Sequence, residues 1–304
     1  MAAEHNRRPA PPGDAATPFH LDPRRPFVLD GATGTELERR GVPCALPLWS
    51  THGLLEAPDL VRSIHSDYAR AGCDGITANT FRTQRRVLDR AGLGHRAREL
   101  TGLAVRLARE AHPGGVVFGS APPLEDCYHP ERVPGDPELD TEHAEHARHL
   151  AETGVDAILV ETHNTVREAV AAATAASASG SAFLVGFACD DSARLLSGEP
   201  LADGIAAVEP LRPVAVGVNC LPPRAVAPCL RALARCGLPF FVSANLGAPD
   251  ARGEGRNDEL SPRAFAEQAS LWLDAGAALV GGCCGTTPDH LAALVGALRE
   301  PASA

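Results

Sequence analysis

Cys283 and Cys284 stand side by side in Gly281-Gly282-Cys283-Cys284-Gly285-Thr286-Thr287-Pro288, and Cys220 closes an earlier apolar run, Val216-Gly217-Val218-Asn219-Cys220. Thiolates are soft ligands. Three of them fill three positions of a tetrahedral Zn2+ site and leave the fourth exchangeable, the ligand count of a catalytic rather than a structural centre. Neighbouring side chains on a strand point to opposite faces, so Cys283 and Cys284 converge on one ion only where the strand has ended and the backbone bends. The flanking glycines permit that bend. Cys44, Cys73, Cys127, Cys189, Cys229 and Cys236 have no paired motif, and small buried hydrophobes are the expected reading for them.

The elements that position these residues follow from hydrophobic pattern. Eight short apolar runs recur, at Pro26–Asp30, Gly75–Asn79, Gly115–Gly119, Val155–Glu161, Ala182–Ala188, Pro213–Val218, Pro239–Ala244 and Ala277–Gly281. Amphipathic segments lie between them, such as Pro58–Arg70, with Pro at its start, and the alanine-rich Thr165–Ser179. Runs without period-two alternation, each followed by a helix, are what a parallel sheet covered on its outer face requires. Eight such units in roughly 250 residues predict an α/β chain folded as a (β/α)8 TIM-type barrel, with a doubly wound open sheet as the alternative. No linker divides the chain, so residues 23–304 are expected to form one domain, after a Pro-, Ala- and Arg-rich tail over residues 1–22 that is expected to be disordered.

A barrel places its active site at the C-terminal ends of its strands. The polar residues fall there: Asp30 after the first run, Asn79-Thr80-Phe81 after the second, Glu161 after the fourth, Asn219-Cys220 after the sixth, Asn245 after the seventh and the cysteine pair after the eighth. Singly, each has an ordinary structural reading, as a cap, a turn residue or a partner for a buried arginine. Together they describe a site. Thr287 with Pro288 reads as a helix start whose exposed N–H groups suit a substrate carboxylate, or as a helix that simply begins there; both readings stay open.

Composition removes other classes of function. A net charge of −10, with arginines in isolated pairs, gives no footprint for nucleic acid or an anionic membrane. All 28 Lys+Arg residues are arginine, so Schiff-base, pyridoxal and P-loop chemistries have no lysine amine to use. The N-terminal segment has no apolar core of a signal peptide, and nine cysteines, an odd number, point to a reducing cytoplasm with free or metal-bound thiols. His143, His146 and His149 are spaced by three, which drifts around a helix, and Glu142 and Glu145 beside them predict a solvated face rather than a metal site.

Asp30-Gly31-Ala32-Thr33-Gly34-Thr35, Pro47-Leu48-Trp49-Ser50, Glu161-Thr162, Gly217-Val218-Asn219-Cys220 and the Gly281–Pro288 segment strongly resemble the homocysteine S-methyltransferase family, over roughly Phe27 to Leu298. The resemblance implies a zinc-bearing barrel that moves a methyl group onto the thiol of homocysteine, giving methionine, with Cys220, Cys283 and Cys284 as metal ligands. It implies that Asp30 and Glu161 hold the substrate ammonium and that Trp49 lies near the donor pocket. Asn79 is a further substrate-binding candidate, and Asn219 either orients Cys220 or hydrogen-bonds the substrate. Arg82 stands where the betaine-using branch carries an aromatic residue, and a cation there opposes an onium donor, so betaine is disfavoured. The chain looks closest to the S-methylmethionine-using branch, although Ser243-Ala244-Asn245-Leu246-Gly247 departs from that branch's usual segment. The expected donor is a sulfonium, S-methylmethionine or S-adenosylmethionine. A corrinoid or folate-derived methyl would need a partner protein, and a different thiol or selenol acceptor stays open. The readings of another class are a zinc hydrolase, against which three thiolates argue by lowering Lewis acidity, and a non-catalytic zinc protein closed by His163 or another cysteine.

Overall fold

All eight apolar runs are parallel strands in the computed structural model, which describes residues 19–247 and 260–299. They are β1 (Phe27–Val28), β2 (Gly75–Ala78), β3 (Val116–Ala121), β4 (Ala157–His163), β5 (Ala182–Phe187), β6 (Ala215–Asn219), β7 (Phe240–Ala244) and β8 (Leu279–Gly282). Each strand pairs with its neighbours in sequence, and β1 pairs with β8 in the register Phe27 to Leu279. A parallel bridge from Leu29 to Gly75 joins β1 to β2 and completes the ring. A doubly wound sheet would leave two edges, so this closure decides for the barrel.

Residues alternate between the barrel interior and the helix layer, as a pleated strand requires. Leu29, Phe118, Leu159, Leu184, Phe241 and Leu279 fill the interior, while Ile76, Val117, Ile158, Val185, Val216 and Val280 face the helices. Fully burying one such side chain contributes about 1.5–3 kcal/mol. Phe19 packs edge-on against Phe27 and Phe118, with ring centroids 5.5 and 5.1 Å away. Phe19, four residues before the expected domain start at 23, thus covers the end of the barrel interior. The rest of the expected tail, residues 1–18, lies outside the described residues.

The helices begin and end where their termini direct. Pro58–Ala71 starts with Pro at its first turn and stops at Gly72, whose φ of 97° only glycine adopts readily. Val166–Ala178 is capped by Thr165, whose hydroxyl accepts from the Glu168 N–H at 3.3 Å. The helix Asp136–Glu152 corrects one expectation: His143, His146 and His149 are buried, not solvated. That helix turns its histidines inward, where His146 Nε2 meets the Ser120 carbonyl at 3.0 Å, and sends Glu142 and Glu145 outward to Arg86 and Arg85. Acidic neighbours in sequence marked the opposite face of the helix. No described helix is long and apolar enough to cross a membrane.

Candidate active site

The three cysteines meet because two strands end in unusual backbone. β8 stops at Gly282, and the Cys283 N–H then donates to the Ala244 carbonyl at the end of β7, 2.8 Å away. Gly285, at φ 85°, turns the chain back so that the Thr286 N–H reaches the Cys283 carbonyl at 3.0 Å. Cys220 itself sits at φ 59°, a left-handed conformation rare for a residue with a Cβ and common at functional sites. Its sulfur lies 3.2 Å from Cys283 Sγ and 3.7 Å from Cys284 Sγ, and all three sulfurs fall within 4.8 Å of one another. With Zn–S bonds of about 2.3 Å, a tetrahedral site has sulfur–sulfur edges of about 3.8 Å, so the trio fits that ion.

The charge state of the cluster points the same way. Hydrogen bonds from Cys283 and Cys284, then from Tyr128 and Thr162, hold the Cys220 thiol well below its ordinary value. The same contacts to Cys220 push Cys283 and Cys284 well above theirs, because further negative charge would sit against the first. A divalent cation removes that conflict.

Two carboxylates share the cavity with the sulfurs. Asp30 is 2% exposed, and accepts from the Thr77 N–H and Thr77 hydroxyl, each at 2.9 Å. Burial pushes its carboxyl up to about 8, with repulsion from Glu161 adding to the rise and the Thr77 bonds opposing it. Glu161 lies where the β4–β5 register breaks between Val160 and His163. The irregularity turns its side chain to the barrel mouth. Its Oε1 accepts from Ser120 Oγ at 2.5 Å and its Oε2 from Asn219 Nδ2 at 3.1 Å. Burial raises it to about 7.

The cavity brings together Asp30, Trp49, Asn79, Glu161 and the three cysteines. Asn79 Nδ2 donates to the Ser50 carbonyl at 2.8 Å and so fixes the segment that carries Trp49, whose ring stands edge-on to Phe81 at 5.7 Å. Asn219 and Thr287 are not in the lining. Asn219 spends its amide on the protein, accepting from the Thr162 N–H at 2.8 Å and donating to Thr162 Oγ1 at 2.7 Å as well as to Glu161. The Thr287 hydroxyl pairs with His290 Nδ1 at 2.8 Å. His163 is held at the Ala121 carbonyl, 3.3 Å away, and is not part of the sulfur cluster.

Sequence reasoning missed several residues of the lining. Tyr128 places its hydroxyl 3.6 Å from Cys220 Sγ, and Cys127 lines the same wall. Both belong to the loop after β3, and no motif spacing marks them. Ser120 escaped notice because the third apolar run reads as ending at Gly119, whereas β3 continues to Ala121 and presents Ser120 at the strand end. The strand-end rule alone would have found it.

Comparison with known proteins is consistent along nearly the whole chain. The homocysteine S-methyltransferase family profile matches residues 27–298. A homocysteine S-methyltransferase of Escherichia coli (strain K12) is 33% identical over 90% of this chain and 96% of its own length. A selenocysteine Se-methyltransferase of Brassica oleracea var. italica is 29% identical over 88% of this chain and 87% of its own. Among solved structures, the metallated form of the homocysteine methyltransferase MmuM from Escherichia coli matches with a TM-score of 0.79 and 30% identity, covering 91% of this chain and 100% of that one. A closed eight-stranded barrel, three thiols converging at its C-terminal rim and a family match spanning both agree, and the chain belongs to the homocysteine S-methyltransferase family.

Proposed function

We propose that this enzyme transfers a methyl group from a sulfonium donor, S-methylmethionine first and S-adenosylmethionine second, to the thiol of homocysteine, with Zn2+ held by Cys220, Cys283 and Cys284. The observation that carries the reading is one cavity that joins three clustered thiols to two buried carboxylates. A free alkyl thiol titrates near 8.5, so only a few per cent is nucleophilic at neutral pH. Zn2+ held by Cys220, Cys283 and Cys284 would supply the Lewis acidity that lets the substrate thiol release its proton to solvent at neutral pH, and three thiolate donors would keep that acidity mild enough to leave the sulfur nucleophilic.

The chain's own residues do the rest. Asp30 and Glu161 take the ammonium of homocysteine, and its positive charge relieves two carboxyls that burial otherwise holds toward the neutral form. Ser120 and Asn219 fix the orientation of Glu161. Tyr128 donates toward Cys220 Sγ and steadies the charge of that ligand. Trp49 and Phe81 form the apolar wall on the donor side. Methyl transfer is a displacement that needs sulfur, methyl carbon and leaving group in line, and such alignment is worth up to about 7–11 kcal/mol. A sulfonium leaves as a neutral thioether, so no acid is required.

A donor screen tests this. Zinc-loaded enzyme and homocysteine are mixed with each donor in turn, and methionine is followed by mass spectrometry. S-methylmethionine is expected to give turnover without added corrinoid. Activity only with a methylated corrinoid protein would overturn the sulfonium reading. Preference for selenocysteine over homocysteine would move the acceptor to a selenol, the reading that the Brassica relative favours.

A further inference from the structure

In the proposed reading Asp30 and Glu161 take the ammonium of homocysteine, but no group has yet been given to the carboxylate of either amino-acid reactant. Of the charged side chains that line it, Asp30, Glu38, Asp126 and Glu161 are acidic, and Arg82 is the sole base among the described residues. Arg82 is 7% exposed, at the turn that follows β2. Its Nη1 donates only weakly, to the Glu125 carbonyl at 3.4 Å, and its buried Nε has no partner. No described carboxylate lies within ion-pair distance of it. The nearest acid in the loop, Glu125, is already taken by Arg90 at 2.6 Å and Arg86 at 3.3 Å. Asp126 accepts from the Tyr128 N–H at 3.0 Å.

A buried guanidinium without a counter-charge is costly, and proteins pair such groups or offer them to a ligand. Burial pulls Arg82 below its usual range, while the nearby carboxylates of Asp126 and Glu125 oppose the fall without forming an ion pair with it. Arginine stays charged under either influence, and its planar fork matches a carboxylate with two parallel hydrogen bonds. The position is fixed rather than floppy. The Arg82 carbonyl accepts from Thr51 Oγ1 at 3.0 Å, and the guanidinium carbon stands 5.4 Å over the Phe81 ring.

We propose that Arg82 is the carboxylate anchor of the active-site cavity, pairing with the carboxylate of one of the two amino-acid reactants. The assignment rests on homocysteine and a sulfonium amino acid being those reactants. It also gives Arg82 a role in donor choice. In S-methylmethionine the sulfonium and the carboxylate are several bonds apart, so one end can lie on Arg82 while the other reaches the thiol. In betaine a single carbon separates them, and anchoring the carboxylate draws the onium charge against the guanidinium.

The test compares full-length, zinc-loaded wild type with Arg82→Gln by calorimetric titration. Four compounds are used separately: homocysteine, its carboxylate-free analogue 3-aminopropanethiol, S-methylmethionine, and (3-aminopropyl)dimethylsulfonium. Arg82→Gln is expected to weaken binding of the anchored reactant by roughly ten- to hundredfold, the scale of a hydrogen-bonded charge pair, and to bind its carboxylate-free analogue as the wild type does. Loss in the homocysteine arm assigns the anchor to the acceptor; loss in the sulfonium arm assigns it to the donor. Unchanged binding of both amino acids, or equal loss of the carboxylate-free analogues, would overturn the proposal. Arg82→Lys carries the same comparison if Arg82→Gln does not fold. Wild type that binds homocysteine but makes no methionine from S-methylmethionine would refute the donor assignment instead, and the homocysteine titrations then decide Arg82.

Discussion

Replacing Asp30 by asparagine should make the substrate-free enzyme more stable and a worse binder of homocysteine, and the stability gain should depend on pH. Burial raises the Asp30 carboxyl from 3.8 to about 8. A carboxyl whose folded value lies above its unfolded one costs no stability below the lower value and a growing amount as pH rises toward the higher one. At pH 7 the unfolded chain has released this proton and the folded chain retains it. The interval from 3.8 to 7, at 1.36 kcal/mol per pH unit, is a cost of about 4 kcal/mol. Asparagine carries no such cost. It keeps an oxygen for the Thr77 N–H but disturbs the bond to the Thr77 hydroxyl, a loss of about 1 kcal/mol. Asp30→Asn is therefore expected to exceed the wild type by about 3 kcal/mol at pH 7 and to fall level with it, or slightly below, at pH 4. Urea unfolding of both proteins at the two pH values measures the gap. In the same variant, loss of a charged hydrogen bond worth about 1.5–3 kcal/mol should raise the homocysteine KM roughly 10- to 150-fold. A stability gap that does not change with pH would refute the burial argument. An unchanged KM would remove Asp30 from ammonium binding.

Cys283→Ser should hold well under one zinc per chain by elemental analysis and lose methyl transfer with it; full occupancy with full activity would remove Cys283 from the ligand set. Glu161→Gln should retain zinc yet raise the homocysteine KM, since it keeps the side-chain shape and an oxygen for Asn219 Nδ2, reverses the bond to Ser120 Oγ and loses the charge. Side-by-side rates with S-methylmethionine, S-adenosylmethionine and betaine should fall in that order, and comparable turnover with betaine would contradict the orientation given to Arg82. His65 is fully buried with no partner on either ring nitrogen, and burial lowers it from 6.5 to about 4. Its neutral form is the stable one, so stability is full above 6.5 and falls as pH drops toward 4; His65→Phe should lose about 3 kcal/mol less than the wild type between pH 7 and pH 4 in acid titrations of urea stability.

The barrel and the convergence of Cys220, Cys283 and Cys284 were legible in the local sequence pattern. Eight apolar runs, each followed by a helical segment, have few ways to cover both faces of a parallel sheet, and periodicity records this locally. Cysteines at the ends of the sixth and eighth runs, in glycine-flanked turns, carry their chemistry in residue type and spacing. Asp30 and Glu161 were legible for the same reason, because strand ends of a barrel converge on one rim.

The remaining features depend on contacts between segments far apart in the chain. Asn219 reads from sequence as orienting Cys220 or hydrogen-bonding the substrate, and its contacts to Glu161 and Thr162, 58 and 57 residues away, are invisible in the local pattern. The histidines of Asp136–Glu152 read as solvated because sequence shows their acidic neighbours and not the arginines that draw those acids outward. Tyr128 reaches Cys220 across 92 residues through a loop whose path no local pattern encodes. Arg82 shows most plainly where local reading stops. Its type and place were visible in the chain, but whether a carboxylate had folded against it was not, and burial without a paired carboxylate is a property of three-dimensional packing alone.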